Sequence, residues 1–510
     1  MTAIRLAVLA VFLCASFSPA LADERNLQRC RAAVTRANAN AAGCVGAQIA
    51  SSIRSSSNRE YDCAGELLNR YERVLSQTGA DPVACGATSE HSASVIMQLE
   101  KSIDYVDSFT TGRFEILAQN LSSPRGLTCA PSGDSALVYV AEAGSGGTTE
   151  SEFYIAADGR PAFVGNSGAV GRLNANLTYE RVIEGLPSSA AADSGGGFLD
   201  ANGPNDVAFF DNGEMAIIMG LASNANIRDT LTTPGSEKFG TVLTADGEIL
   251  VDLADYERMN NSDGRLIPEA CGFSSFVADK TSNPFRASGG ETISVVDSGA
   301  NAVLSVNELG KVKVLAANFL DQLQSMPDLS AFFPAGQALC PPSGPGLPPA
   351  GPLPAQSVPT GIACTAASEV CSAGPAGIGC EAREGEEICV VSELTGLPFA
   401  PGSANIYDIS TSELEYPIVA SGFTTLIDLA FGEGNALFAL EYSRNGLPGI
   451  FGVSPAIGGL YALTPDGLRQ QLDGRRLEAP NGVVVCDGDL YVTDRTRNAG
   501  EGRILRYRFD

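Results

Sequence analysis

One pattern recurs through most of the chain: a short apolar run, a Gly-containing turn and a second apolar run. In its clearest copy, Ile427–Phe431 and Ala436–Leu440 flank the turn Gly432–Asn435. Apolar runs of this length bounded by Gly and Asn predict the two strands of a β-hairpin. The pattern begins six times, at Ser123, Gly203, Ser282, Val358, Leu426 and Ala479.

Further strand patterns follow each hairpin, which gives units of about four strands in roughly 40–50 residues, some of them longer through loop insertions. Such a repeat predicts a β-propeller, and six starts predict six blades. Only three strand patterns follow Ala479, so we expect Arg113–Leu121, ahead of the first unit, to supply the outer strand of the last one. That exchange would close the ring and cover an exposed edge strand. The predicted fold class is therefore all-β, a six-bladed β-propeller.

The N-terminal part of the chain differs from the repeat. Residues 1–22 are predicted to be a secretory signal peptide, because Arg5 precedes the apolar run Leu6–Phe17 and small residues end the segment at Ala20 and Ala22. The alternative, a membrane anchor, needs about 20 apolar residues. Residues 23–107 carry apolar side chains at helical spacing and predict a small domain of about three helices. The propeller is assigned to residues 108–510. We expect a secreted or extracytoplasmic protein with no membrane span after cleavage.

The cysteines agree with export. The chain has 13 cysteines, and cleavage after Ala22 would remove Cys14 and leave an even number, 12. In an exported protein such cysteines are typical of disulfides. The candidates are Cys30, Cys44, Cys63, Cys85, Cys129, Cys271, Cys340, Cys364, Cys371, Cys380, Cys389 and Cys486.

These cysteines fall into groups. The first four are expected to staple the helical domain, whose own core would be thin. An insertion at 364–389 holds four more, spaced unlike the C-x₂₋₄-C pairs of zinc sites, which favours a disulfide-stapled loop. A Pro-rich insertion occupies 320–357. Because Cys129 and Cys486 lie on the predicted inner strands of the first and sixth units, we expect them to bridge adjacent blades.

The charge of the chain limits its partners. With 33 Lys and Arg against 59 Asp and Glu, the net charge is −26. An acidic surface of this size repels nucleic acid and anionic lipid, so neither is an expected partner. Solubility or the attraction of cations accounts for the surplus of acids.

Several phrases of the repeat resemble a known family. They include "VSELTGLPFAPGSANIY", "ASGFTTLIDLAFGEGNALFALEYSRNGL" and "VVDSGANAVLSVNELGKVKVLAANF", and the match runs in order over residues 114–510. These phrases resemble the ScyD/ScyE family, named for the scytonemin sunscreen-pigment gene cluster of cyanobacteria. The resemblance implies an exported propeller and brings no catalytic residues with it. The helical region and the Cys insertion depart from the family pattern.

Polar side chains recur where each predicted inner strand starts and where each second strand ends. The two positions meet at one end of a propeller channel, so we expect one mouth ringed by carboxylates and amides. The candidates at strand starts are Arg125, Asn205, Asp206, Asn283, Thr360, Asp428 and Asn481. The candidates at strand ends are Glu142, Asp297, Glu393, Glu441 and Asp494.

This ring has two interpretations. Oxygen-rich clusters suit Ca²⁺ or another divalent cation, and "GPND" and "APNG" resemble the channel motifs of regucalcin- and gluconolactonase-type propellers, which hold a divalent metal. On that interpretation Asn205, Asp428 and Asn481 are the metal candidates, although Arg125 stands where those enzymes have Glu. On the other interpretation the acids accept backbone N–H bonds and tie neighbouring blades together.

The leading functional hypothesis is an exported binding or scaffold protein whose propeller mouth takes a small molecule, glycan or protein partner, as an accessory in extracytoplasmic metabolism. The alternative is a metal-dependent hydrolase or lactonase that acts at the acidic mouth. A second alternative, an oxidoreductase-like role in pigment maturation, rests on the family's gene context alone.

Overall fold

The computed structural model describes residues 114–508 apart from internal gaps, of which the longest cover 263–275, 279–291 and 327–350. The predicted signal peptide, the helical region 23–107, Asn283, Cys271 and Cys340 lie outside the described residues. Within these residues, no helix has the length and apolar character needed to cross a membrane.

Six antiparallel sheets follow one another along the chain and form the blades, which we number 1 to 6. Strand β1 (Phe114–Ser122) precedes blade 1. The strands of blade 1 are β2 (Pro124–Cys129), β3 (Ala136–Glu142), β4 (Phe153–Ile155), β5 (Pro161–Asn174), β6 (Tyr179–Ala192) and β7 (Phe198–Asn202). Strands β2, β3, β5, β6 and β7 pair in that order, and β4 pairs with β5. Blade 1 is therefore larger than the four-stranded unit that the sequence predicts.

Blades 2 and 3 have four strands each. Blade 2 contains β8 (Pro204–Phe209), β9 (Met215–Met219), β10 (Thr241–Thr244) and β11 (Ile249–Asp252). Two 3₁₀ turns (Ala225–Thr230 and Ser236–Lys238) separate β9 from β10, and helix α1 (Leu253–Asn260) follows β11. Asp252 caps α1 by accepting the Asp255 N–H at 2.9 Å. Blade 3 contains β12 (Phe276–Ala278), β13 (Thr292–Asp297), β14 (Ala302–Asn307) and β15 (Val312–Ala316).

Blade 3 corrects one sequence prediction. Its inner strand is β12, which pairs with β13 through Val277 and Val296, and not the segment that begins at Ser282. The reason is chemical: Phe-Val-Ala is apolar and suits a strand, whereas the later segment contains Pro284 and a Gly pair, which weaken a ladder.

The two predicted insertions lie before and within blade 4. A separate pair, β16 (Gln322–Met326) and β17 (Gly351–Ala355), precedes it. The blade then contains β18 (Ser357–Ala366), β21 (Glu387–Thr395), β22 (Ala404–Asp408) and β23 (Ile418–Phe423), and the hairpin β19 (Glu369–Gly374) and β20 (Gly377–Ala382) lies between β18 and β21. The Cys insertion is therefore built on this hairpin.

Blades 5 and 6 complete the ring. Blade 5 contains β24 (Leu426–Phe431), β25 (Leu437–Glu441), β26 (Gly459–Leu463) and β27 (Arg469–Asp473), with the short helix α2 (Leu447–Ile450) between β25 and β26. Blade 6 contains β28 (Val483–Cys486), β29 (Asp489–Asp494) and β30 (Ala499–Tyr507), and β1 pairs with β30 as its outer strand. The predicted exchange of an N-terminal strand into the last blade is confirmed.

The inner strands contact one another in a closed cycle, β2, β8, β12, β18, β24, β28 and β2 again. Each junction between blades has its own apolar cluster. Between blades 5 and 6, for example, Phe438 and Leu440 of β25 pack against Val483 and Val492. The same arrangement recurs at the other five junctions. The fold is therefore the predicted all-β, six-bladed propeller, held together by core between blades rather than by one central core.

Two disulfides fall within the described residues. Cys129 at the end of β2 bonds to Cys486 at the end of β28, as the sequence predicts, and joins blade 1 to blade 6. Cys364 bonds to Cys389 across the paired strands β18 and β21, at the base of the Cys insertion. Cys371 and Cys380 are register partners in the β19–β20 hairpin. Disulfides of this kind are typical of proteins in an oxidising compartment.

Candidate functional site

One end of the ring collects the starts of the inner strands and the ends of the second strands. Pro124 pairs with Glu142 in blade 1, and Leu426 pairs with Glu441 in blade 5. We call this end the mouth. Most of the candidate side chains that the sequence suggests are described, and their contacts divide them into three groups.

In the first group, acids at the ends of second strands tie a blade to the chain that leads into it. Glu142 is fully buried and accepts the Ser122 N–H at 2.6 Å, the Tyr179 hydroxyl at 2.8 Å and the Arg181 guanidinium at 2.7 Å. Blades 4, 5 and 6 repeat this arrangement in part, because the position falls at the same point of each unit.

The three other members of this group are also buried. Glu441 accepts the Thr424 N–H at 2.5 Å and the Tyr461 hydroxyl at 2.7 Å. Asp494 accepts the Glu478 N–H at 2.8 Å and pairs with Arg503 at 2.6 Å. Glu393 accepts both the backbone and the side-chain N–H of Asn405, each at 2.9 Å. Burial raises the pKa of Glu393, Glu441 and Asp494, since it disfavours the charged form, and these hydrogen bonds oppose the shift.

Asp297 has a different local role. Its Oδ1 accepts the N–H groups of Gly299 and Ala300, both at 3.0 Å, and so shapes the turn between β13 and β14. A carboxylate that caps a turn in this way is a common use of Asp in hairpins.

The second group lies on the inner strands. A β-carbon at Gly126 would lie 2.0 Å from Asp206 Oδ1, and one at Gly361 would lie 2.8 Å from Asp428 Oδ1. Each aspartate therefore packs over a glycine backbone of another inner strand, where a larger residue would not fit. Asp428 Oδ2 also accepts the Val483 N–H of blade 6 at 2.7 Å.

The described amide and hydroxyl candidates of the inner strands are also buried or in hydrogen-bonded positions. Thr360 donates to the Leu426 carbonyl of the next blade at 2.9 Å. The Asn481 N–H donates to the Thr493 carbonyl at 3.1 Å, and Asn205 is buried at the start of β8. The Thr360 bond joins two blades, whereas the Asn481 bond is a backbone bond within blade 6. Among the described residues, no three His, Cys, Asp or Glu side chains form a group that could hold a metal. The set Asn205, Asp428 and Asn481 stays a prediction.

The third group begins with Arg125, and sequence reasoning missed its other members. We call Arg125, Arg160, Asp200, Tyr442 and Arg497 the arginine cluster. Arg160 Nη2 lies 2.8 Å from Asp200 Oδ2, and Arg497 Nε lies 3.3 Å from Asp200 Oδ1. Arg125 Nη2 donates to the Ala201 carbonyl at 2.5 Å.

Three consecutive blades build this cluster. Arg125 starts the inner strand of blade 1, Tyr442 follows the second strand of blade 5, and Arg497 follows the second strand of blade 6. Asp200 comes from β7, which crosses to blade 6: its N–H donates to the Arg497 carbonyl at 3.0 Å, and Leu199 bridges Asn498. Asp200 adopts φ 54°, a left-handed conformation that Asp tolerates better than most residues.

The cluster is rich in cationic groups. Arg160 and Arg497 pair with the Asp200 carboxylate and Arg125 donates to the neighbouring Ala201 carbonyl, in a protein whose net charge is −26. Burial lowers the pKa of Arg125, while Tyr442 and Asp200 act in the opposite direction. Burial and the Asp200 charge raise the pKa of Tyr442 to about 12, so its hydroxyl keeps its proton at neutral pH. The cluster therefore offers hydrogen-bond donors and positively charged groups.

One atom stands out. Arg125 Nε is buried and has no acceptor among the described residues. A buried donor of this kind needs an explanation, and a bound ligand is one of the common ones. Five N–H groups in a planar fork suit carboxylate and phosphate oxygens. The sequence carried one signal for the cluster: Arg125 departs from the metal motif at a strand start.

Comparisons with known proteins add little beyond the fold. No family model and no curated protein sequence matches the chain. Among solved structures it is similar to regucalcin from Agrobacterium tumefaciens, at 10% identity over 78% of this chain and 93% of that one, with a TM-score of 0.36. It is also similar to a putative gluconolactonase (13% identity, 78% and 92% covered, TM-score 0.28) and to streptogramin B lyase (13%, 78% and 98%, 0.29). Similarities at this level say nothing of function.

Proposed function

We propose that this protein is a binding propeller that captures a small anionic molecule at its mouth. The observation that carries the proposal is the buried Arg125 Nε, which has no acceptor among the described residues and lies beside the Arg160 and Arg497 guanidinium groups that pair with Asp200. Three guanidinium groups therefore lie together at this end of the ring. A ligand carboxylate would balance part of their charge and accept hydrogen bonds from the planar guanidinium groups.

The surroundings support an anion rather than a cation as the ligand. The acids that would attract a metal to the mouth are buried and accept backbone or side-chain hydrogens, as Glu142 and Glu441 do. Arg125 is held in a position where burial disfavours its charge, so an incoming anion would stabilise it. Salt screens the repulsion between a ligand anion and the distant acids of this surface. At close range the guanidinium groups of the cluster therefore attract an anion.

A small carboxylate is the direct test. Trifluoroacetate would be titrated with the full-length, oxidised protein at constant ionic strength and followed by the width of its fluorine NMR line. We expect saturable broadening that Arg125→Gln and Arg497→Gln each weaken by about tenfold or more, since a charged hydrogen bond contributes about 1.5–3 kcal/mol.

The matched control is Arg172→Gln. Arg172 pairs with Glu180 on the exposed part of blade 1 and lies outside the arginine cluster. The control removes the same charge, so equal weakening in all three variants would mean nonspecific attraction. Absence of saturable binding in the unaltered protein would refute the proposal.

We further propose that binding takes place outside the cytoplasm, as part of an exported accessory protein of the ScyD/ScyE kind. Support comes from the two disulfides, Cys129–Cys486 and Cys364–Cys389, which are typical of oxidising compartments. Fractionation of the producing cells, with the N-terminal sequence of the exported form, tests this placement; a reduced protein retained in the cytoplasm would contradict it.

A further inference from the structure

Blade 1 carries an exposed apolar surface beside the arginine cluster. It lies on the β4–β5 hairpin and on β7, and within the residues that the structure describes the other blades lack strands equivalent to β4 and β7. Phe153 and Ile155 on β4 are 54% and 41% exposed. We call the surface formed by Phe153, Ile155, Phe163 and Phe198 the aromatic rim.

The rings of the rim form a row. The Phe153 and Phe163 centroids are 5.6 Å apart, and the Phe163 and Phe198 centroids are 6.2 Å apart with near-perpendicular planes. Such spacings are those of favourable aromatic contacts. Phe153 and Ile155 are exposed and Phe163 and Phe198 are half-buried, and exposed apolar surface of this kind commonly serves in interaction.

The row leads to the arginines. Phe198 packs against Ala201 and Ala143, and the carbonyl of Ala201 is the acceptor for Arg125 Nη2. Phe198 also lies two residues before Asp200 on β7. At the other end of the hairpin, Arg160 follows β4 and reaches Asp200. Apolar surface and cationic groups are therefore continuous.

We infer that the anion taken at the mouth is an aryl carboxylate, with its carboxylate at the arginine cluster and its aromatic body along the aromatic rim. The inference rests on the proposed function and narrows the ligand class. The aromatic rim is continuous with the arginine cluster. A molecule with a negatively charged head and a flat apolar body would be complementary to both surfaces at once. Ligand sites commonly combine an apolar lining with a few polar groups that fix orientation.

The experiment compares two carboxylates at the same site. The probes are 2-naphthoate, followed by its own fluorescence, and trifluoroacetate; the chain contains no Trp whose emission would interfere. We expect 2-naphthoate to displace trifluoroacetate and to bind about tenfold tighter or better, because aromatic contacts add to the shared charge interaction. Neutral 2-naphthalenemethanol should bind at least about tenfold more weakly than 2-naphthoate.

Variants assign the preference to the rim. Phe153→Ser should reduce the ratio of the 2-naphthoate and trifluoroacetate affinities by about three- to tenfold. Leu309→Ser is the control, because Leu309 is 72% exposed in the turn after β14 of blade 3. That variant should leave the ratio unchanged.

The outcomes separate the two proposals. If trifluoroacetate binds through the arginines but 2-naphthoate has no advantage, the inference on ligand class is wrong and the proposed function stands. If neither anion binds, both are wrong. If the chain dimerises in sedimentation and Phe153→Ser abolishes the dimer, the rim covers a second copy of the chain, which also overturns the inference.

Discussion

Arg497 and Asp200 lie 297 residues apart in the chain, yet their side chains are 3.3 Å apart at the mouth of the propeller. The pair joins the end of blade 6 to the additional strand β7 of blade 1. The pair holds β7 across the junction between blades 6 and 1, where the ring closes. The Asp200 carboxylate also neutralises part of the positive charge that we assign to ligand binding.

The first prediction concerns this internal carboxylate. Asp200→Asn should strengthen trifluoroacetate binding by about fivefold or more, because Asp200 competes with the ligand for the three arginines. The measurement is the same fluorine NMR titration. Asp246→Asn, in the exposed turn of blade 2, makes the same change in net charge away from the site. Weaker binding in Asp200→Asn, or equal gains in both variants, would contradict the competition.

The second prediction concerns closure by strand exchange. Leu121, at the end of β1, is 2% exposed and packs with Val484 and Ile504 of blade 6. Leu121→Ala should lower the free energy of unfolding by about 2–5 kcal/mol, because it removes buried methyl groups and leaves a cavity. Ile116→Ala, on the same strand but 42% exposed, should cost less than about 1 kcal/mol. Guanidinium denaturation followed by far-UV circular dichroism measures both, and equal costs would argue against the role of β1.

The third prediction concerns the closing disulfide. Cys129–Cys486 spans 357 residues and Cys364–Cys389 spans 25. In the chain-entropy account the longer loop constrains the unfolded chain more, so the paired replacement Cys129→Ala with Cys486→Ala should cost about 2 kcal/mol more than the same change at Cys364 and Cys389. Denaturation midpoints of the two double variants decide the matter. The account fails if the shorter loop proves the more stabilising.

The fourth prediction concerns pH. Glu441 is buried, and its pKa in the folded protein is raised above its ordinary value of 4.5. Between the ordinary pKa and the raised pKa the folded state binds more protons than the unfolded state. The contribution of Glu441 to stability is therefore present at low pH and is lost as the pH rises. Glu441→Gln keeps an oxygen for the Thr424 N–H and removes the titration. We expect this variant to lose less stability than the unaltered protein between pH 4.5 and 7.

The control for this prediction is Glu248→Gln, which removes one negative charge from an exposed position in blade 2. Because the chain is strongly acidic, removing any carboxylate reduces general repulsion as pH rises. Only the difference between the two variants reports on burial of Glu441. Identical pH profiles of the denaturation midpoint for both would show that the buried carboxylate contributes nothing specific.

Much of the architecture could be predicted locally. The hairpin of blade 5, predicted as Ile427–Phe431 and Ala436–Leu440, is Leu426–Phe431 and Leu437–Glu441 in the structure. Alternating apolar residues and glycine turns act within a few residues, so a single sequence reports them. The prediction was wrong for the inner strand of blade 3, where the apolar segment Phe276–Ala278 took the place of a Pro- and Gly-containing one.

The site was less accessible to such reasoning. The positions of the strand starts and strand ends in the sequence predict that the candidate acids lie at one end of the ring. They do not indicate which acids accept hydrogen bonds from adjacent segments of the same chain. Glu142 accepts hydrogen bonds from Ser122, Tyr179 and Arg181. The residues next to Glu142 in the sequence do not indicate these partners. Side-chain hydrogen bonds over such distances depend on packing between strands.

The sequence by itself determined the repeat, the number of blades, the exchange of β1 into the last blade and the position of Cys129 and Cys486 on the inner strands of adjacent blades, because these follow from local periodicity and from the order of the units. The bond between the two cysteines is seen in the structure. Only the tertiary structure decided that Arg125, Arg160 and Arg497 meet around Asp200. Those residues come from blade 1, from the chain after the second strand of blade 6 and from β7, which crosses between these two blades. Closing the ring brings together ends of the chain whose separation in sequence carries no information on their distance in space.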